Sequence, residues 1–96
     1  MKNLADLKRA LVPGSTITMV RHDWYPNGYL LNKPRKVLAA KSVGITIETV
    51  GRDGTVDESH MRWQNASEYT FVNDDYFEVT IDPQGSRMGY VISPRD

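Results

Sequence analysis

Val43-Gly-Ile-Thr-Ile-Glu-Thr-Val50, then Gly51-Arg-Asp-Gly54, then Thr55-Val-Asp-Glu-Ser-His-Met-Arg-Trp63 is the stretch whose reading decides the fold. Ile45, Ile47 and Thr49 alternate with Thr46, Glu48 and Val50, the period-two pattern of a strand with one wet face. Gly51–Gly54 supplies a turn: Gly54 can take the positive φ a short hairpin loop demands, and Asp53 tolerates the position beside it. The returning strand sets Met61 and Trp63 on one face, in step with Asp57 and Ser59, and Val56, Glu58, His60 and Arg62 on the other. A lone hairpin buries too little surface to be stable, so further strands and a helix must complete its core.

Outward from the hairpin, residues 3–11 read as a short helix, with Leu4, Leu7 and Leu11 on one face and Asn3 as N-cap. Asp6 suits the first turn and Lys8 and Arg9 the last, before Pro13-Gly14 ends the helix. Residues 15–21 form a strand with Ile17 and Met19 on one side and Thr16, Thr18 and Val20 on the other. His22 to Pro34 is a long connection, with Tyr29-Leu30-Leu31 expected as a short returning strand after the Pro26-Asn27-Gly28 turn. Strands follow at 35–42, 68–72 and 76–81, the last marked by Phe77, Val79 and Ile81. Gln64-Asn65-Ala66-Ser67 reads as a 3₁₀-like turn, Asp82-Pro83-Gln84-Gly85 as another turn, and Met88, Tyr90 and Ile92 as a closing strand. The fold class is mainly β, a small α+β domain spanning 1–96: a small barrel or an antiparallel meander with an N-terminal helix.

Composition narrows the chemistry. Ninety-six residues make one domain, and the absence of cysteine excludes disulfides and thiolate zinc sites. The first residues are too charged for a signal peptide and no apolar run approaches the ~20 residues of a membrane span, so a soluble, cytoplasmic protein is expected. Net charge is zero, but residues 1–50 hold eight Lys/Arg against three Asp/Glu while residues 51–96 hold four against nine. Such asymmetry either steers a charged partner or is neutralised locally where the two halves pair.

Three local features carry a resemblance: Leu7-Lys8-Arg9 before Pro13-Gly14, Pro34-Arg35-Lys36-Val37 opening a strand, and Trp63 shortly before Ala66-Ser67-Glu68. With the order of elements, they resemble small SH3-like β-barrel proteins of the kind carried by phages and mobile elements. The resemblance implies a barrel fold and a context in which small proteins block host defence, including CRISPR systems.

Two surfaces are candidates for function. One is basic and aromatic: Arg21, Trp24, Tyr25, Tyr29, Arg35 and Lys36, with Lys33 and Lys41. Cations and rings of this kind suit either a protein interface or single-stranded nucleic acid. The alternative is acidic: Glu68, Asp74, Asp75, Tyr76 and Glu78. His22-Asp23 and His60 make a thin catalytic inventory, because neighbours on a strand point to opposite faces. Asp74, Asp75 and Glu78 lack the spacing of a calcium loop. No cofactor or metal is expected. The expected function is a non-enzymatic module contacting a protein partner, such as a phage-type inhibitor (anti-CRISPR, for example) or accessory factor. A nucleic-acid-binding domain is the alternative and a small nuclease or toxin a distant third.

Overall fold

Asn3 caps the helix α1 (Leu4–Ala10), its side chain accepting the Asp6 N–H at 2.9 Å in a computed structural model that describes residues 1–93. Asp6 ion-pairs with Arg9 one turn on. Seven residues do not persist as an isolated helix in water. Burial holds α1 in place: Leu7 and Leu11 are fully enclosed against the sheet.

The strands fall into two antiparallel runs. β1 (Thr16–His22), β2 (Arg35–Lys41), β3 (Gly44–Val50) and β4 (Val56–Arg62) make the first; β5 (Tyr69–Phe71), β6 (Tyr76–Thr80) and β7 (Arg87–Ser93) make the second. A short 3₁₀ helix, Ala66–Glu68, joins them where the sequence places a tight turn. β7 pairs with β1, fusing both runs into one seven-stranded sheet of order β4-β3-β2-β1-β7-β6-β5.

That order forces curvature. β4 ends at Arg62 and β5 starts at Tyr69, so seven residue steps can bridge at most about 25 Å. A flat sheet would hold its two edge strands about 29 Å apart. The sheet therefore curls, and register shifts between Met19 and Arg21 in β1 and between Val37 and Ala39 in β2 mark two irregularities of the kind that bends strands. The curl stops short of closure: among the described residues β4 and β5 do not pair. The expected SH3-like barrel is thus an open, curled sheet, the meander form of the expectation. Closure fails because β5 is three residues long and pairs only with β6.

One face of the sheet makes the core. The central hairpin has the register its alternation predicts, with Ile45 opposite Met61 and Ile47 opposite Ser59. Gly54 takes φ 85° at the turn and Gly51 donates to the Thr55 carbonyl at 2.8 Å. Ile45, Ile47, Ile17, Val37, Phe77, Tyr90 and Ile92 are buried together under α1. Met61 and Trp63 lie on this inner face but are only half-covered. Met61→Ala and Trp63→Ala should each cost about 1–2 kcal/mol, below the range for complete burial. Glu58→Ala, on the exposed face of β4, should leave the urea midpoint unchanged. Equal midpoints for all three variants would mean the hairpin faces are reversed.

One expected element is missing. Residues 29–31 form no strand; two successive turns, with Gly28 donating to Tyr25 and Leu31 to Gly28, carry the chain instead. His22 explains the difference. Its Nδ1 accepts the backbone N–H groups of Trp24 and Tyr25 at 3.2 and 3.3 Å, turning the chain at the end of β1, and the segment rejoins β1 only at Asn32, whose N–H donates to the Met19 carbonyl at 2.7 Å.

Candidate functional site

The structure takes the basic aromatic patch apart. Met19 is buried in the core, and regular alternation would send Arg21 inward after it. The register shift makes Val20 an extra residue, so Arg21 stands opposite Gly89 on the outer face, beside Glu78. There the Glu78 carboxylate accepts from Arg21 at 2.7 Å, Arg87 at 2.9 Å and the Tyr76 hydroxyl at 2.7 Å. Burial alone would raise the Glu78 pKa, but these three donors outweigh it and hold the group below its ordinary value. Arg21 also forks onto Asp23, which with Glu78 raises the guanidinium pKa still further. Asp23 is lowered by that fork and by the Arg87 backbone N–H.

This network joins the two charged halves of the chain. Arg21 from the basic half meets Glu78 and Tyr76 from the acidic half, so one pair of the opposing charges cancels within the sheet. Glu78 itself is only 8% exposed. Asp74 pairs with the N-terminal ammonium at 3.1 Å, Asp75 lies exposed in the β5–β6 turn, and Glu68 sits half-covered in the 3₁₀ helix. The acidic residues are thereby distributed over different surroundings. Among the described residues no group of three or more His, Asp or Glu is arranged to hold a metal ion. No helix of the described residues is long and apolar enough to cross a membrane.

Trp24 and Tyr25 directly follow Asp23, whose carboxylate is taken up by Arg21. They are 52% and 66% exposed, yet fixed in place. The Trp24 indole N–H donates to Asp82 at 2.9 Å, and the His22 ring packs against both aromatic rings at centroid distances of 6.0 and 5.0 Å. Asp82, bonded to the indole, and the Arg21–Asp23 ion pair mark this end of the loop. Tyr29, Lys33 and Arg35 gather elsewhere, joined by Arg52 from the hairpin turn. Lys36 and Lys41 are exposed on β2.

Trp24 and Asp82 stand at one end of a feature the alternation pattern does not reveal. Where the curled sheet fails to close, a cleft of about 800 Å³ opens on its concave side. Its wall runs from Met61 and Trp63 on the β4 side, past Tyr69, to Phe77, Met88 and Tyr90. Thioether and aromatic side chains of this sort make an adaptable apolar surface. Polar side chains, among them His60, Arg62, Glu68 and Asp82, share the lining; within it the Tyr69 hydroxyl accepts from the Gln64 N–H at 3.0 Å, and the Trp63 indole donates to the Lys41 carbonyl at 3.3 Å. Sequence reasoning places Met61 and Trp63 on the inner face but misses that they border an opening. That depends on which strands end up at the sheet edges.

The histidines are held by local hydrogen bonds. His60 Nδ1 bonds the Thr46 hydroxyl at 3.1 Å and His22 Nδ1 serves the Trp24 and Tyr25 backbone, and neither is ion-paired with a carboxylate among the described residues.

Asp82 provides a pH test of this geometry. Hydrogen bonds from Ser86, followed by the one from Trp24, hold its carboxyl down to about 2. A carboxyl lowered on folding contributes stability above its ordinary pKa near ~4 and loses it as pH falls through the folded value. Emission from Trp24, isolated in a Trp63→Phe variant, should show an acid transition with a midpoint near pH 2. Circular dichroism recorded alongside separates this from global unfolding. A midpoint near pH 4 with the fold intact would mean the indole is not bonded to Asp82.

No protein-family model matches this chain, and neither the curated proteins nor the solved structures contain a match to it.

Proposed function

We propose that the chain is a non-enzymatic binding module that engages a protein partner at the concave cleft and the Trp24–Tyr25 end of the long loop. The observation that carries this reading is the placement of Trp24. A large ring half in solvent, pinned by Asp82 and the His22 ring at the mouth of an apolar cleft, is a pre-ordered anchor. Holding the ring before binding reduces the ordering cost of association. The bond to Asp82 uses only the indole N–H and leaves much of the apolar ring in solvent. The partner is expected to insert an apolar side chain between Trp24 and Met61 and to tolerate the acidic groups Asp23 and Asp82 at that end. Nucleic acid is disfavoured at this place, because the Asp82 carboxylate, which has no cation partner among the described residues, would meet phosphates.

The resemblance to small proteins of phages and mobile elements directs the first search to cytoplasmic host-defence machinery, CRISPR effectors included. The deciding experiment compares wild type with a Trp24→Ala, Tyr25→Ala double variant. Neither ring belongs to the buried core, so the melting curve should hold. Capture of the partner from host lysate should fall by about 30-fold or more, the scale of losing an interface anchor worth about 2 kcal/mol. Undiminished capture by a folded double variant would move the interface away from the cleft mouth.

A further inference from the structure

Two cations lie over one phenol. Lys33 Nζ lies 5.3 Å and the Arg52 guanidinium 4.8 Å from the centre of the Tyr29 ring. Arg35, at the start of β2, is half-buried, and burial lowers its pKa against the influence of Tyr90 and Tyr29. Its Nε is fully enclosed and has no hydrogen-bond partner among the described residues. No described carboxylate lies within ion-pair distance of Lys33, Arg35 or Arg52. Asp53, next to Arg52 in sequence, uses Oδ1 to accept the Thr55 N–H at 3.0 Å. The contrast with Arg21 and Arg87, both bonded to Glu78, is direct.

Like charges crowded without an anion repel, and an enclosed donor without an acceptor is a cost that native structures rarely leave unanswered. An oxyanion answers the first, and can engage the Arg35 guanidinium through its outer nitrogens. We propose that Tyr29, Lys33, Arg35 and Arg52 form a binding site for a phosphate group. A guanidinium can fork onto two phosphate oxygens, the Lys33 ammonium adds charge, and the Tyr29 hydroxyl can donate to a further oxygen. Three cations exceed what one carboxylate needs, which favours phosphate over an acidic side chain. The site is independent of the proposed protein interface, since none of these four residues lines the cleft. The phosphate can belong to a free oligophosphate or to the backbone of a single-stranded nucleic acid.

The full chain, isotope-labelled, is titrated with pyrophosphate and separately with a short oligothymidylate while the Arg35 Nε–H resonance is followed. Binding of the oligothymidylate should weaken about 20-fold between about 50 and 200 mM salt, as three neutralised phosphates on a single strand require. Lys33→Ala and Arg52→Ala should each flatten that dependence, whereas Lys41→Ala, an exposed cation elsewhere on β2, should not. This result supports the site with a polymer as its source. Movement of the Arg35 resonance by pyrophosphate alone supports it with a free anion as its source. If neither probe moves the resonance, or if Lys41→Ala weakens binding as much as Lys33→Ala, the proposal is overturned.

Discussion

Phe77→Ala should destabilise the protein by about 3–5 kcal/mol, a large fraction of the roughly 5–15 kcal/mol that holds a small domain together. Phe77 is 1% exposed and lies in β6, opposite Tyr90 of β7 on one side and Phe71 of β5 on the other. Its ring stacks on Tyr90 at a centroid distance of 5.3 Å and meets Tyr69 at 6.0 Å. Removing it loses buried area and two aromatic contacts, and Tyr90 is too constrained by its strand to fill the space. Phe77 also borders the cleft, so truncation should enlarge the cleft and weaken partner capture beyond the loss of stability. Phe71→Ala supplies the comparison: half-buried on the three-residue edge strand, it should cost much less. Urea midpoints measure both. A smaller shift for Phe77→Ala than for Phe71→Ala would mean the core is centred elsewhere.

The parts of this fold legible in the sequence are those written in local alternation. Ile45 and Ile47, Phe77 and Val79, and Tyr90 and Ile92 each announce an inner face, and all are buried there. Asn3, Pro13-Gly14 and Gly51–Gly54 mark element ends through backbone chemistry that acts over a few residues. What alternation cannot express is a change of phase or a pairing between distant strands. Val20 is one extra residue, yet it moves Arg21 from the core side to the outer face and turns a supposed partner-binding cation into the mate of Glu78. The pairing of β7 with β1 puts β4 and β5 at opposite edges, and the cleft exists only because those edges approach without joining. Arg52 reads as an ordinary turn residue until the fold sets it over Tyr29. The candidate sites therefore emerge from long-range topology, while their individual rings and charges were already visible.

Two glycines offer a sharp test of that topology, because each leaves out a side chain where two strands or side chains converge. Gly44, directly opposite Arg62 in the central hairpin, has no room for a methyl group. A Cβ there would collide with the Met61 carbonyl oxygen and lie 2.8 Å from the Arg62 Cα, both of them backbone. Backbone cannot rotate away as a side chain can, so β3 and β4 would have to separate. Gly44→Ala should cost about 3 kcal/mol, the upper end for overpacking. Gly89 is crowded differently: its missing Cβ makes space for the Tyr76 phenol, with the Arg21 Cβ at 3.1 Å. Gly89→Ala should cost about 1–3 kcal/mol and displace Tyr76 from Glu78. Shortening the obstructing residue should then help. In a Tyr76→Ala background the Gly89→Ala penalty should shrink by about 1 kcal/mol or more, a coupling expected of residues in contact. No comparable single truncation should rescue Gly44→Ala. Thermal or urea melts of the cycle decide the matter: additive penalties at 76 and 89 would mean that the phenol does not lie over the glycine, and that Arg21 reaches Glu78 by another path.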